Sequence, residues 1–594
     1  MDLGKNDTEN TGSKNLSMKE AFERLRSSDK DVIKMGVQGE EKKSFRDILW
    51  DYPTNFSKFF KKTSPLSSIL IFILLGIGLF TFLRSDVFAT VFSPSKSTVF
   101  VEGNVGAISS FNPIFISQNV VDSDIHALVF EKFINISPDG TPTPGIAKQW
   151  SVSKDGKVFD FEISKDHKWQ DGEALTVDDV IFTFELAKTL SKEYEYDTIG
   201  SALIDVKIDK VSDTKVRFTL PESNATFFEI VSVYIVPKHI LESVPIADVP
   251  FNNFARYPIG SGPYEVYRSE PNVVYLRASQ YYYVTPKIDT FVYRLYSDYS
   301  ALEAAFRNGI LDAMGGVDSK AMSFSQEYPE YTKYEIPIYS RMRMIFFNTR
   351  KEKLQSKEMR VGISYLVDKT QLLKDAEISG IPTNGPIAEN SWAYTQGTVY
   401  EYNPAKAAEL FKGLGYTKNI DSGYFESADK KILSFTLSYY NNEFNERLAS
   451  AFKEMLKKEG VVINLEPLSY TQLTQEIVAT RDFELLMYEI ATTVDPDQYN
   501  LWHSLKSNYP DLNLSGYNYE RVDILLEEGR RSMDQKVRKE KYVLFQKYLT
   551  QDAPALFLYH PIYEYVVRDN IRIGDIQNIS FPYQRFKDIA YWSK

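Results

Sequence analysis

Hydrophobic and polar residues alternate through KVFDFEI (residues 157–163), placing Phe159, Phe161 and Ile163 on one face, and this predicts a half-buried strand. After an Asp171-Gly172 turn the period changes. Val177, Val180, Ile181, Phe184 and Ala187 recur at helical spacing behind Thr176, which caps the helix with Asp179 at its third position. Residues 300–308 predict a helix stopped by Gly309 in the left-handed conformation. Strand 433–439, helix 443–459 ahead of Gly460, and strands 461–465 and 483–488 form a β-α-β-like series. Asp495-Pro496 predicts another helix start, with Asp capping and Pro in the first turn. Residues 518–551 read as mostly helical, and 555–567 as a final long strand. Alternating strands and helices argue an α/β fold.

One stretch fits none of these amphipathic patterns. Residues 66–83, LSSILIFILLGIGLFTFL, run for 18 residues without a charge, near the lower limit for a bilayer-spanning helix, and residues 87–92 extend the apolar region. The charged lead-in of about 60 residues is too long for a signal peptide's n-region, and no small-residue cleavage site follows. Lys58, Lys61 and Lys62 precede the segment and Arg84 follows it, so the positive-inside rule places residues 1–62 in the cytoplasm. A single-pass cell-membrane protein is expected, seated in the lipid bilayer, with the binding domain extracytoplasmic. Residues 84–98 read as a linker ending in SPSKS.

Charge and composition narrow the chemistry. The net charge is −11, and residues 1–62 hold 13 Lys/Arg against 11 Asp/Glu, leaving −13 for the remainder. No basic stripe is available for phosphate neutralisation, so nucleic acid is not an expected partner. Without cysteine, disulfides, thiolate metal sites and cysteine lipidation are excluded. The five histidines, at 126, 167, 239, 503 and 560, lack metal-ligand spacing on a helix face, and no metal or cofactor is implied. The chain is rich in Tyr and Phe, 39 of each; most belong in cores, and some suit a ligand cleft.

No catalytic motif emerges: there is no G-x-S-x-G elbow and no H-E-x-x-H helix. Gly260-Ser261-Gly262-Pro263 looks superficially like a phosphate loop. Pro263 removes a donor and no Lys-Ser/Thr follows, so a structural turn is the preferred reading. Trp169 and Asp171 read as hairpin and turn residues, and His503 beside Trp502 as packing.

Ordered motifs then point to a family. SSFNP (109–113) is followed by GTPTPGIAKQWSVSKDGKVFDFEISKDHKWQDGEALTVDDVIFTFELAK (140–188), IVPKHI (235–240) and PIGSGPYEV (258–266). NGILDA (308–313), FFNT (346–349) with MRVGISYLVDK (359–369), YNPAKAAELFKGLGY (402–416) and VDPDQY (494–499) complete the series. In this order the chain resembles the bacterial extracellular solute-binding proteins of family 5, the oligopeptide- and dipeptide-binding group, through nearly all of residues 100–594. The resemblance implies a two-lobed, periplasmic-binding-protein-like α/β fold with an extra domain on the first lobe, here preceded by a single N-terminal transmembrane helix. Lobe I would take residues 97–133, 245–345 and 555–594, the extra domain 134–244, and lobe II 346–554. Ligand would be buried between the lobes by hinge closure. The implied role is the non-enzymatic binding component of an ABC importer, delivering a peptide or other small polar solute to permease and ATPase subunits. A surface sensor acting through a separate signalling partner is the alternative, and a surface hydrolase on this scaffold ranks below both.

Several residues are candidates for contact with solute. Ser109 and Asn112 lie in the small-residue Asn-Pro loop. Tyr439, Tyr440 and Asn441 end a strand at an expected cleft edge, and Tyr488 ends another. Arg341 and Arg343 share one face of the strand entering lobe II, where they either pair with acids or offer a cation near the hinge.

The sequence departs from its relatives at the implied pocket. Peptide-binding members carry an Asp four residues before the Pro of the Asp-Pro step, where it pairs with the peptide's terminal ammonium, and commonly a Trp three residues earlier. Those positions hold Thr492 and Glu489. A hydroxyl cannot neutralise a buried ammonium. Either Glu489 supplies the charge, or the solute has no such ammonium and is a blocked peptide, sugar or other polar molecule; otherwise Glu489 is a solvated surface carboxylate.

Overall fold

Fourteen residues, Ala555–Arg568, form a strand buried along nearly its whole length, and both lobes are built on it. The computed structural model describes residues 98–115, 119–194, 199–316 and 330–594. The predicted tail, the apolar segment 66–83 and linker residues 84–97 lie outside the described residues. Among the described residues no helix is long and apolar enough to cross a membrane.

A second stretch of chain runs antiparallel beside this strand from end to end. Tyr331–Pro337 pairs with residues 562–568, and Arg341–Phe347 with residues 555–559. On the opposite edge lie Ala313–Gly316 in the first lobe and Gly380–Pro382 in the second. The lobes are therefore joined by two neighbouring crossings, at residues 338–340 and 560–561. Pro561 has no N–H to give a ladder and sits where the ladder changes lobes; its carbonyl accepts the Ile338 N–H at 2.9 Å. His560 Nδ1 lies 2.8 Å from the Arg341 carbonyl oxygen, and its ring meets Tyr339 edge-on at 5.3 Å.

In the first lobe the sheet continues outward through Val99–Val105, Thr290–Tyr296, Val273–Ala278 and Tyr264–Glu270. Helix Val120–Val129 and the short helical segment Pro582–Tyr591 share its core with Phe100, Phe291 and Trp592. A separate four-stranded antiparallel sheet, Ala147–Val152, Val158–Ile163, Lys215–Thr219 and Lys207–Ser212 in that order, has its own core with helix Val177–Tyr194. Phe159, Phe161 and Ile163 face that core as the alternation requires. Thr176 donates its N–H and hydroxyl to Asp179 at 2.8 and 2.9 Å, closing the start of the helix.

In the second lobe the order is Val462–Leu468, Ser434–Tyr440, Leu485–Ala491 and Arg341–Phe347, with helices on both faces. Helix Glu443–Glu459 has Asn442 as its N-cap and Gly460, at φ 95°, as its left-handed C-cap. It buries Leu448, Phe452, Met455 and Leu456 against the sheet, each contributing about 1.5–3 kcal/mol. The helical region near the C-terminus is two helices, Glu520–Arg531 and Gln535–Asp552, the second capped by Asp534. The helix expected at Asp495-Pro496 does not form there; the next helical turn is Tyr499–Trp502. Arg538 holds both carboxylate oxygens of Asp495, at 2.9 and 2.6 Å, while Asp495 Oδ1 also accepts the Asp497 N–H at 3.0 Å.

Candidate functional site

The Gly260-Ser261-Gly262-Pro263 turn sets one wall of the site. A Cβ at Gly260 would stand 1.9 Å from the Val129 carbonyl oxygen, and one at Gly262 2.6 Å from the Val129 carbonyl carbon. Only glycine lets this turn lie against the end of helix Val120–Val129. The buried Gln170 amide reaches the carbonyls of Val129, Gly262 and Tyr264, and its own carbonyl accepts the Gly260 N–H. The Ser261 hydroxyl accepts the Glu131 N–H at 3.2 Å. The turn is structural, and it fixes the chain that carries Glu131 and Lys132.

Those two residues line a cavity of about 800 Å³ together with His167, Glu229, Tyr234 and Tyr583, to which the second lobe contributes Val494. This lies within the usual range for small-molecule pockets. A neighbouring cavity of about 230 Å³ shares Lys132, Tyr234 and Tyr583 with it. By contrast, the recess around Thr492, Ser340, Tyr339 and Trp392 offers only about 30 Å³, about the room of one water molecule.

The cavity is aromatic with a few charges. Lys132 donates to the Tyr583 hydroxyl at 3.0 Å, its ammonium 5.4 and 5.0 Å from the ring centres of Tyr234 and Tyr583. His167 Nδ1 meets Glu131 at 2.9 Å. Burial would lower the imidazole, but the Glu131 carboxylate holds it above its ordinary value. Burial, with a smaller contribution from the like charge of Asp495, pushes the Glu229 carboxyl up to about 7.

The lobes meet along residues 222–229. Asp495 N–H donates to Glu229 Oε1 at 3.0 Å, Ala225 N–H to the Arg530 carbonyl at 2.9 Å, and the Ser223 hydroxyl to the Arg531 carbonyl at 2.7 Å. Arg531 also reaches Glu222 at 3.2 Å, an exposed pair of little energetic weight. Arg530 holds the Asp497 carboxylate, so Asp495 and Asp497 are both neutralised by arginines.

The structure brings some of the predicted contact residues together and scatters others. Arg341 and Arg343 converge on Glu489 at 3.3 and 3.1 Å, on the helix Glu443–Glu459 face of the sheet, where Arg343 stacks on Phe444. Glu489 is not among the residues lining the 800 Å³ cavity, and Thr492 lines only the small recess, with its N–H donating to the Ser340 carbonyl at 2.7 Å. Tyr488 packs on the opposite face of the sheet. Tyr439 is buried and donates to Glu446 at 2.5 Å. Tyr440 is exposed edge-on to Tyr470, and the Asn441 N–H donates to the Leu468 carbonyl. Ser109 donates its N–H and hydroxyl to Asp122, and the neighbouring Asn112 is buried, accepting the Ile114 N–H. Sequence reasoning missed Lys132, Glu229, Tyr234 and Tyr583. Only the general richness in tyrosine hinted at them.

Two lobes joined at paired crossings of one long strand and its neighbour, with a large cavity beside the seam, define a two-lobed solute-binding fold. Residues 141–511 match the bacterial extracellular solute-binding proteins, family 5 middle region, and the chain belongs to that family. It is similar to the oligopeptide-binding protein AppA of Bacillus subtilis, 26% identical over 496 residues that cover 80% of this chain and 89% of AppA. The ABC transporter substrate-binding protein CtaP of Listeria monocytogenes superposes with a TM-score of 0.72 at 26% identity, covering 83% of this chain and 98% of that one. NikZ of Campylobacter jejuni, solved with Ni(L-His), gives a TM-score of 0.70 at 25% identity, covering 84% and 100%.

Proposed function

We propose that the protein is the solute-capturing component of an ABC importer, anchored in the cell membrane by residues 66–83 and closing its lobes over a peptide or related polar solute. The observation that carries the reading is the 800 Å³ cavity beside the seam between lobes joined by two adjacent chain crossings. A ligand touching both lobes binds the closed arrangement better and shifts the population toward it. Family membership and the names of AppA and CtaP support the importer role. Delivery would be to membrane permease and ATPase subunits.

Small-angle scattering of the purified protein tests the closure. Its radius of gyration shrinks when a bound solute, identified by native mass spectrometry, is restored to stripped protein; an unchanged radius with tight binding rules it out. Protease added to intact cells tests the anchoring. It should leave a small tail fragment inside, and natural release of the whole binding domain into the medium would overturn that topology.

A further inference from the structure

The sequence leaves open what meets a solute ammonium, since the Thr492 hydroxyl cannot neutralise one. Four carboxylates lie on or near the strand and loop that follow the hinge. Arg538 holds Asp495, Arg530 holds Asp497, and Arg341 with Arg343 hold Glu489. Glu229 approaches the same loop from the other lobe, lines the large cavity, and has no cationic partner within ion-pair distance among the described residues. Its Oε1 accepts the Asp495 N–H at 3.0 Å, the Val494 N–H also favours its ionised form, and a carboxylate has lone pairs for more.

The geometry points to Glu229 as the residue that receives a primary ammonium group of the solute, making it a specificity-determining residue of the cavity. This rests on the solute-capture reading above. An ammonium here has aromatic walls, including Tyr234 and Tyr583, and a carboxylate that would otherwise be buried without a counter-charge. The same contact couples binding to closure, because Glu229 is hydrogen-bonded to the second lobe only when the lobes meet. Two charged groups act on Glu229 across the cavity: Asp495, which disfavours its ionisation, and Lys132, which favours it. A bound ammonium therefore favours the carboxylate form of Glu229 in the closed arrangement.

The experiment uses a lysine-free mixed-sequence library of short peptides, either unblocked or N-acetylated, offered to the full-length protein and read by native mass spectrometry. The expected result is retention of unblocked peptides only, with at least a tenfold weakening in Glu229→Gln and partial recovery in Glu229→Asp. Calorimetry of a retained peptide and of its N-acetylated form, on the unmodified protein, needs no variant. It should show at least a tenfold weaker binding of the acetylated form. Equal retention of blocked and unblocked peptides, or undiminished binding in Glu229→Gln, overturns the assignment to Glu229 and leaves solute capture standing. Retention of neither library overturns peptide capture and this assignment with it.

Discussion

Arg585 donates to both carboxylate oxygens of Asp124, through Nη1 at 2.8 Å and Nη2 at 2.5 Å, and neither side chain has any exposed surface. Glu102 takes a further bond from the same guanidinium at 2.6 Å, and Tyr565 and Tyr293 donate to Glu102 and Asp124 at 2.8 and 2.5 Å. The cluster ties the C-terminal segment to the first strand and to helix Val120–Val129. Burial raises Glu102 above its ordinary value despite the guanidinium. Removing one partner from such a pair leaves an uncompensated buried charge. Arg585→Ala should therefore cost about 3–5 kcal/mol, measured as a lower urea midpoint at unchanged slope.

Gly260 is predicted to tolerate no side chain. Gly260→Ala would drive a methyl into the Val129 carbonyl, a backbone atom that cannot swing away. The cost should be about 1–3 kcal/mol by overpacking, with weakened solute binding because Glu131 and Lys132 follow directly. Stability equal to the unmodified protein would show that the turn does not press on the helix end.

Much of the local structure was legible in the sequence, because the information is local. The alternation of Phe159, Phe161 and Ile163 and the caps around Glu443–Glu459 lie within a few residues of what they determine. The long final strand was also readable, but its change of partners about Pro561 depends on residues more than 200 positions earlier. Asp495 reads as a helix cap in the sequence, and nothing local announces its pairing with Arg538, 43 residues on. The cavity draws Lys132, Glu229, Val494 and Tyr583 from segments across most of the chain, and no spacing rule connects them. The sequence left the role of Glu489 open because cross-strand pairing with Arg343 is set by register, which sequence alone does not supply.

Glu489→Gln separates the two carboxylates. Glu489 is held by Arg341 and Arg343 and does not line the 800 Å³ cavity, so its loss should leave solute affinity within about twofold. Stability should fall by about 1 kcal/mol, as for a partly exposed pair. Calorimetry and thermal denaturation of the same sample check both. A tenfold loss of affinity for unblocked peptides would return the amine site to Glu489.

Closure of the solute-free lobes should depend on pH, and the sign follows from Glu229. In the closed arrangement its carboxyl is raised to about 7 by burial and by Asp495, against an ordinary value of 4.5. Opening withdraws Asp495 and Val494 and returns it toward the ordinary value, so closing takes up a proton between these limits. A raised carboxyl is penalised when charged. The penalty on closure is thus full above about pH 7, shrinks as pH falls through the window and is gone below about 4.5. Without solute, the closed population should grow from pH 8 to pH 5, seen as a falling radius of gyration in small-angle scattering. Glu229→Gln should flatten the profile because its amide cannot titrate while still accepting the Asp495 N–H. A profile equally steep in the variant would move the proton to another group, and His167 with Glu131 would be the next pair to test.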